Sequence, residues 1–146
     1  MKKSFDLERF VKAQENIYDE VLVELRQKQK TGHWMWFIFP QIQGLGSSPM
    51  ARTFAISSLQ EASAYLNHPI LGARLVECTQ LVLLARDKPI HQMMGSPDDM
   101  KFRSSMTLFA HATNSNRVFV EAIETFFGGK FDDLTLTILD KLNEDR

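Results

Sequence analysis

Lys101, Ser104 and Ser105 stand three and four residues apart, a spacing that sets an ammonium and two hydroxyls on one face of a helix. Such a face can hold an oxyanion. It could also support covalent chemistry, because a desolvated lysine can lose its proton and activate a serine. The order here is Lys-x-x-Ser rather than the Ser-x-x-Lys of acyl-transfer motifs, and no Gly-x-Ser-x-Gly elbow occurs. The plain structural alternative is a solvated lysine whose neighbouring hydroxyls bond back to their own helix. Arg103 could join only from an adjacent face.

His33 and Gln41 form a second pair of polar tips, one on each side of an apolar run, and such tips must find partners or line a wet cavity. His33 could act as a general base with Gln41 orienting a substrate. Gln14, Tyr18, Tyr65 and His68 add polar groups within apolar surroundings, so the candidate ligand-binding set is Gln14, Tyr18, His33, Trp34, Trp36, Gln41, Tyr65, His68, Lys101, Ser104 and Ser105. No member can be assigned a catalytic role from type and spacing alone. His33, His68, His91 and His111 are widely separated, with no His-x-x-x-His or Cys-x-x-Cys, so neither a metal site nor a cofactor is expected. Gly44-Leu45-Gly46-Ser47-Ser48 lacks the Gly-Lys-Ser/Thr ending of a phosphate loop and reads as a turn into a helix at Pro49.

The apolar run lies in the most unusual part of the chain, since Thr31 to Ala51 contains no Asp, Glu, Lys or Arg. Its continuous apolar portion, Trp34-Met35-Trp36-Phe37-Ile38-Phe39, is far short of the roughly 20 residues that cross a bilayer. A short buried helix is expected there, although a buried strand would have the same composition. Both tryptophans are here, and at two residues apart they must point to different sides of a helix. Most of these rings are expected to fill a core.

These residues need a scaffold, and the chain of 146 residues is 44% hydrophobic and 24% charged, which suits a single domain spanning 1–146. Lys plus Arg number 17 against 18 Asp plus Glu, so no general field favours nucleic acid or an anionic membrane. Met1-Lys2-Lys3 could open a signal peptide, but Phe5-Asp6-Leu7-Glu8-Arg9 stands where its apolar region would be. The single cysteine, Cys78, falls on an apolar stripe and fits a reducing, cytoplasmic setting.

Helix signals recur along the whole chain. Asp6 can cap a first helix running to about Gln29, with Leu7, Val11, Gln14, Tyr18, Val21 and Leu25 on one stripe that Gln14 interrupts. Ser48-Pro49 reads as a cap followed by a first-turn proline, and Ser58-Leu59-Gln60-Glu61 as a capping box. His68-Pro69 separates two helical runs, the second spanning Ile70 to Arg86. Ser96-Pro97-Asp98-Asp99 opens another, its two carboxylates capping the positive end. Arg117 to Phe127 is closed by Gly128-Gly129, and Asp132 or Asp133 begins a last helix through Leu142. With no hairpin signals, the expectation is an all-α bundle of about six to eight helices.

The sequence resembles a bacterial and fungal family called domain of unknown function 1810. The resemblance rests on Leu7 to Phe10, Ala13-Gln14, Tyr18, the run His33-Trp34-Met35-Trp36-Phe37-Ile38-Phe39-Pro40-Gln41, Gly44-Leu45-Gly46, Ala55-Ile56, Ala64-Tyr65-Leu66, His68-Pro69, Leu71-Gly72 and Lys101 to Phe109. It implies a compact all-α fold and no established activity. Phe54 stands where the family often has tyrosine, and His91-Gln92-Met93-Met94-Gly95 replaces a more apolar segment. The functional expectation is a cytoplasmic binder of a small polar or anionic metabolite, nucleotide-like ligands included, with a hydrolase conceivable on the same site. The alternative is a helical adaptor that docks a protein partner through an exposed tryptophan segment. The first requires His33, Gln41 and Lys101 to meet in one concavity, and the second requires Trp34 or Trp36 on an open surface.

Overall fold

The computed structural model describes residues 4–144, so Met1-Lys2-Lys3 and the last two residues of the expected 1–146 domain lie outside the description. Among the described residues there are ten helices: α1 (Glu8–Glu15), α2 (Tyr18–Arg26), α3 (Met35–Ile38), α4 (Pro49–Thr53), α5 (Leu59–Asn67), α6 (Leu71–Leu84), α7 (Ile90–Met94), α8 (Asp98–Ala112), α9 (Arg117–Phe127) and α10 (Asp133–Glu144). Three of these, α3, α4 and α7, are one-turn pieces, which leaves seven longer helices within the expected number. The only extended pairing among the described residues is an isolated parallel bridge between Ile42 and Ile56. No helix among them is long and apolar enough to cross a membrane.

α8 is the central element. It packs against α3, α5, α7, α9 and α10, and it buries Phe102 and every residue from Ser104 to Ala110. A helix covered on nearly all sides loses the one-sided apolar stripe of a surface helix. α9 is the opposite case, burying Phe119, Ala122 and Ile123 at helical spacing. The aromatic rings join the layers, with Phe39 edge-on to Phe102 at 4.9 Å, and Tyr65 at 5.1 Å from Phe10 and 5.4 Å from Phe109.

Local chemistry explains most boundaries. Ser48 Oγ accepts from Ala51 N–H, and Ser58 Oγ accepts from Glu61 N–H at 3.1 Å each, as their sequence signals predict. Glu61 closes its box one residue early, accepting from Ser57 N–H at 2.8 Å, while its other oxygen pairs with Arg9 at 3.0 Å. His68 Nδ1 accepts from the N–H groups of Ile70 and Leu71, so the ring caps the start of α6. Asp132 Oδ2 caps α10 through the Thr135 N–H and hydroxyl.

The expected first helix to Gln29 is corrected to two. The residue preceding α1 is Leu7, which makes no side-chain cap bond, so Asp6 does not cap; its carbonyl instead accepts from Arg9. The chain breaks at Asn16 and Ile17, where the Ile17 N–H turns back to the Gln14 carbonyl at 3.1 Å. Buried hydrogen bonds of Gln14 and Tyr18, on either side of the break, pull the two halves toward different partners.

Gly72 marks the closest approach of two helices: a Cβ built there would lie 2.0 Å from the Leu66 carbonyl oxygen. That neighbour is backbone and cannot rotate away. Gly72→Ala is therefore expected to destabilise the fold by about 3 kcal/mol or more, read as a lower urea midpoint, because α5 and α6 must separate to admit the methyl group.

Candidate functional site

The uncharged segment is fixed at its start by a single carboxylate. Glu24 Oε1, on α2, accepts from Thr31 N–H at 2.7 Å, Gly32 N–H at 2.8 Å and the Trp34 indole N–H at 3.0 Å. Burial alone would push this carboxyl's pKa up, but the donors of Gly32, Thr31 and Trp34 outweigh it and hold the pKa below the ordinary glutamate value. Trp34 is consequently core, with 0% of its surface exposed. Further along, Gln14 Nε2 donates to the Phe37 carbonyl at 2.7 Å and to the Tyr65 hydroxyl at 3.1 Å. Arg74 donates to Gln14 Oε1 at 3.2 Å, which accounts for the polar break in an otherwise apolar stripe.

Beside that network, the Tyr18 hydroxyl donates to Glu77 at 2.5 Å while the Arg74 guanidinium lies over the Tyr18 ring. Burial, then the bond to Glu77, raises the Tyr18 pKa, and burial raises that of Tyr65. Burial also pushes the Cys78 thiol up to about 12. That leaves it a core thiol rather than a nucleophile.

Gln14, Tyr18 and Tyr65 thus belong to an internal polar network, and none of them lines the cleft that Lys101 faces. That cleft has a volume of about 460 Å³, within the range of small-molecule sites. Its walls come from four stretches of chain: Trp36 on α3, Gln41 to Ala55 with α4, the first turns of α8, and the start of α10. Four expected residues meet there: Trp36, Gln41, Lys101 and Ser104. His33 does not; its ring is exposed and outside the cleft lining. Trp34, Tyr65, His68 and Ser105 are likewise outside it. Ser105 Oγ is buried with no hydrogen-bond partner among the described residues. Ser104 Oγ donates to the Met100 carbonyl at 3.1 Å, the helix-bonded arrangement that the plain reading anticipates. Arg103 faces elsewhere, donating to the carbonyls of Lys130 and Phe131.

Electrostatics at the cleft turns on Asp98. The Lys30 side chain is only 6% exposed, and a buried ammonium must be paired. It is paired closely, with Nζ at 2.7 Å from Asp98 Oδ2 and 2.5 Å from the Gly32 carbonyl, and it lies 5.0 Å from the Trp34 ring centre. Lys101 reaches the other Asp98 oxygen only at 3.5 Å and sits 5.0 Å over the Trp36 ring. Two ammonium groups share one carboxylate, and the more weakly held one borders the cleft. Asp98 is therefore a bridge between lysines more than the helix cap expected of it.

Sequence reasoning passed over Arg52, Asp132, Met100 and Leu134, all of which line the same cleft. Asp132 carries a sequence signal as a helix opener, and the Gly44 to Ser48 turn precedes Pro49 as expected while also forming a wall of the cleft. Among the described residues no three His, Cys, Asp or Glu side chains gather as metal ligands.

The sequence profile of a family described as "Protein of unknown function (DUF1810)" matches residues 4–139, and the chain belongs to that family. A solved crystal structure of a conserved hypothetical protein from Mycobacterium tuberculosis is similar at 53% identity. The match covers 93% of this chain and 97% of that one, with a TM-score of 0.92. No curated protein matches the chain.

Two measurements check this geometry. Acrylamide should quench Trp36 but not Trp34, so Trp36→Phe is expected to leave an emission that is blue-shifted and nearly insensitive to the quencher. Equal quenching of both variants, Trp34→Phe and Trp36→Phe, would contradict the placement. Glu24→Gln is expected to cost about 1 kcal/mol at pH 7, since one neutral oxygen replaces a charged acceptor that is partly open to solvent. Because the folded-state pKa is depressed, Glu24 contributes its stability above the unfolded value of about 4.3 and loses it as pH falls through the folded value. Urea unfolding from pH 7 down to 3 should therefore show the two proteins converging at the acid end.

Proposed function

We propose that this member of the DUF1810 family binds a small anionic metabolite in the cleft between the Gln41 to Ala55 segment and α8. One observation carries the reading: Asp98 is committed to Lys30 at 2.7 Å, so the Lys101 ammonium at 3.5 Å keeps positive charge unneutralised at the cleft wall. Arg52 adds a second cation against the single lining carboxylate of Asp132, which is itself engaged in capping α10. Trp36 supplies a flat apolar face, and Gln41 and Ser104 supply polar groups for orientation. Binding is favoured over hydrolysis, because the Ser104 hydroxyl is bonded to its own helix and the Lys101 side chain is engaged by Asp98 and the Trp36 ring. A protein adaptor using the tryptophan segment finds little surface, with Trp34 buried and Trp36 half-buried at the cleft. A cytoplasmic setting belongs to the same proposal and is supported by the lone, buried Cys78.

The test is a thermal-shift panel of nucleoside monophosphates, sugar phosphates and small carboxylic acids against the protein and its Lys101→Ala variant. A ligand that binds only the folded state raises Tm. At least one anionic class is expected to do so, and Lys101→Ala should weaken its binding by about 10- to 100-fold, the value of a charge-assisted hydrogen bond. The variant should stay folded because Asp98 retains Lys30. Undiminished stabilisation of the variant would refute the anion role.

A further inference from the structure

The cleft holds more than charge. Met100 on α8 and Leu134 on α10 both line it, yet they are 43% and 57% exposed, while Leu45, Phe54 and Pro97 extend the same apolar surface. On α10 the buried positions are Thr135 and Leu139, so Leu134 stands outside the face that the helix packs into the core. On α8 the buried run begins at Phe102, and Met100 likewise lies off it. Two large apolar side chains from separate helices therefore line one cleft while both stay open to water. They gain contact only when something apolar lies between them.

Charge bounds the ligand from the other direction. Lys101 is the cation set beside Trp36, and its neutralisation by Asp98 is partial, while Arg52 is exposed at the edge. Such a site suits one anionic group. A polyphosphate would bring several charges against Met100, Leu134 and Trp36, whereas a bare inorganic anion would leave those side chains unused.

Resting on the reading of the cleft as an anion site, we propose that its ligand is an amphiphilic monoanion. A single carboxylate, sulfonate or phosphodiester group pairs with Lys101, and a flat apolar body lies against Trp36 between Met100 and Leu134. Either source of charge, a carboxylic acid or an ester of phosphate or sulfate, has the same shape of recognition.

The experiment uses four probes on the 15N-labelled protein: 2-naphthoate, acetate, neutral 2-naphthalenemethanol and inorganic triphosphate, titrated while the two indole N–H resonances are followed. The Trp34 indole is held by Glu24 at 3.0 Å and serves as the internal reference. The expected result is movement of the Trp36 resonance alone, with 2-naphthoate binding at least about tenfold tighter than either partial probe. Leu134→Gln, at an exposed position, should remove most of the gain of 2-naphthoate over acetate and leave acetate binding unchanged. Lys101→Met should instead remove the gain over 2-naphthalenemethanol. If acetate moves Trp36 and 2-naphthoate binds no tighter, the anion site stands and the amphiphile inference falls. Tighter binding of inorganic triphosphate than of 2-naphthoate would overturn the inference in the same way. If 2-naphthalenemethanol binds as well as 2-naphthoate, or none of the probes moves Trp36, both readings fall together.

Discussion

A buried ammonium sets the constraint around which the site is arranged. Lys30 is almost wholly withdrawn from water, and an isolated charge in that position would be prohibitively costly. It is tolerated because Asp98, the Gly32 carbonyl and the face of Trp34 surround it. That requirement ties the end of the α2 connection to the first turn of α8, across more than sixty residues of sequence. It also decides how much of Asp98 is left for Lys101. Structure and charge at the cleft are thus two results of one pairing: the carboxylate that makes Lys30 acceptable is too occupied to cancel its neighbour.

The tryptophan segment shows how the two halves of one short run are given different tasks. Glu24 draws the Trp34 indole inward with the same oxygen that gathers the backbone of Thr31 and Gly32, and Gln14 holds the segment's far end through the Phe37 carbonyl. Between these two anchors, α3 makes little more than one turn. A rotation of about 200° over two residues then sends Trp36 toward the cleft as Trp34 enters the core. From Trp34 to Pro40 the segment is buried apart from Trp36, and its ionic partners, Glu24 and Lys101, are supplied from α2 and α8.

Much of the scaffold was legible in the sequence because its signals are local. Ser48 and Ser58 cap where their types and offsets predict, His68-Pro69 falls at the expected junction of two helices, and the Arg117–Phe127 helix ends at Gly128, whose φ of +61° places it in the left-handed region. What escaped was set by contacts distant in sequence. The stripe from Leu7 to Leu25 runs smoothly through Asn16, so periodicity gave no sign of the break that Gln14 and Tyr18 impose. Nothing local distinguishes Lys30 from a solvated lysine, and His33 sits next to Trp34 while facing water. The residues of the candidate site divided along the same line. Trp36, Gln41, Lys101 and Ser104 share the cleft, while Gln14, Tyr18 and Tyr65, chosen for the same polar character, serve an internal network. Polarity in an apolar context identifies groups that need partners, but it does not say whether those partners are protein or ligand.

The bridge between Ile42 and Ile56 forms the base of a loop. Its two backbone bonds, Gln43 N–H to the Ile56 carbonyl and Ile56 N–H to the Gln41 carbonyl, are 2.8 Å each and close a neck. Residues 43–55 form an omega-like excursion beyond that neck, with α4 inside it. Most of one cleft wall is therefore a module hung on the core by a clasp. Apart from Phe54, which packs on Phe10 and Phe37, and the Thr53 and Ala55 carbonyls held by Arg9, its residues can be exchanged with little disturbance to α8 or the buried rings, so ligand preference and folding can diversify on separate schedules.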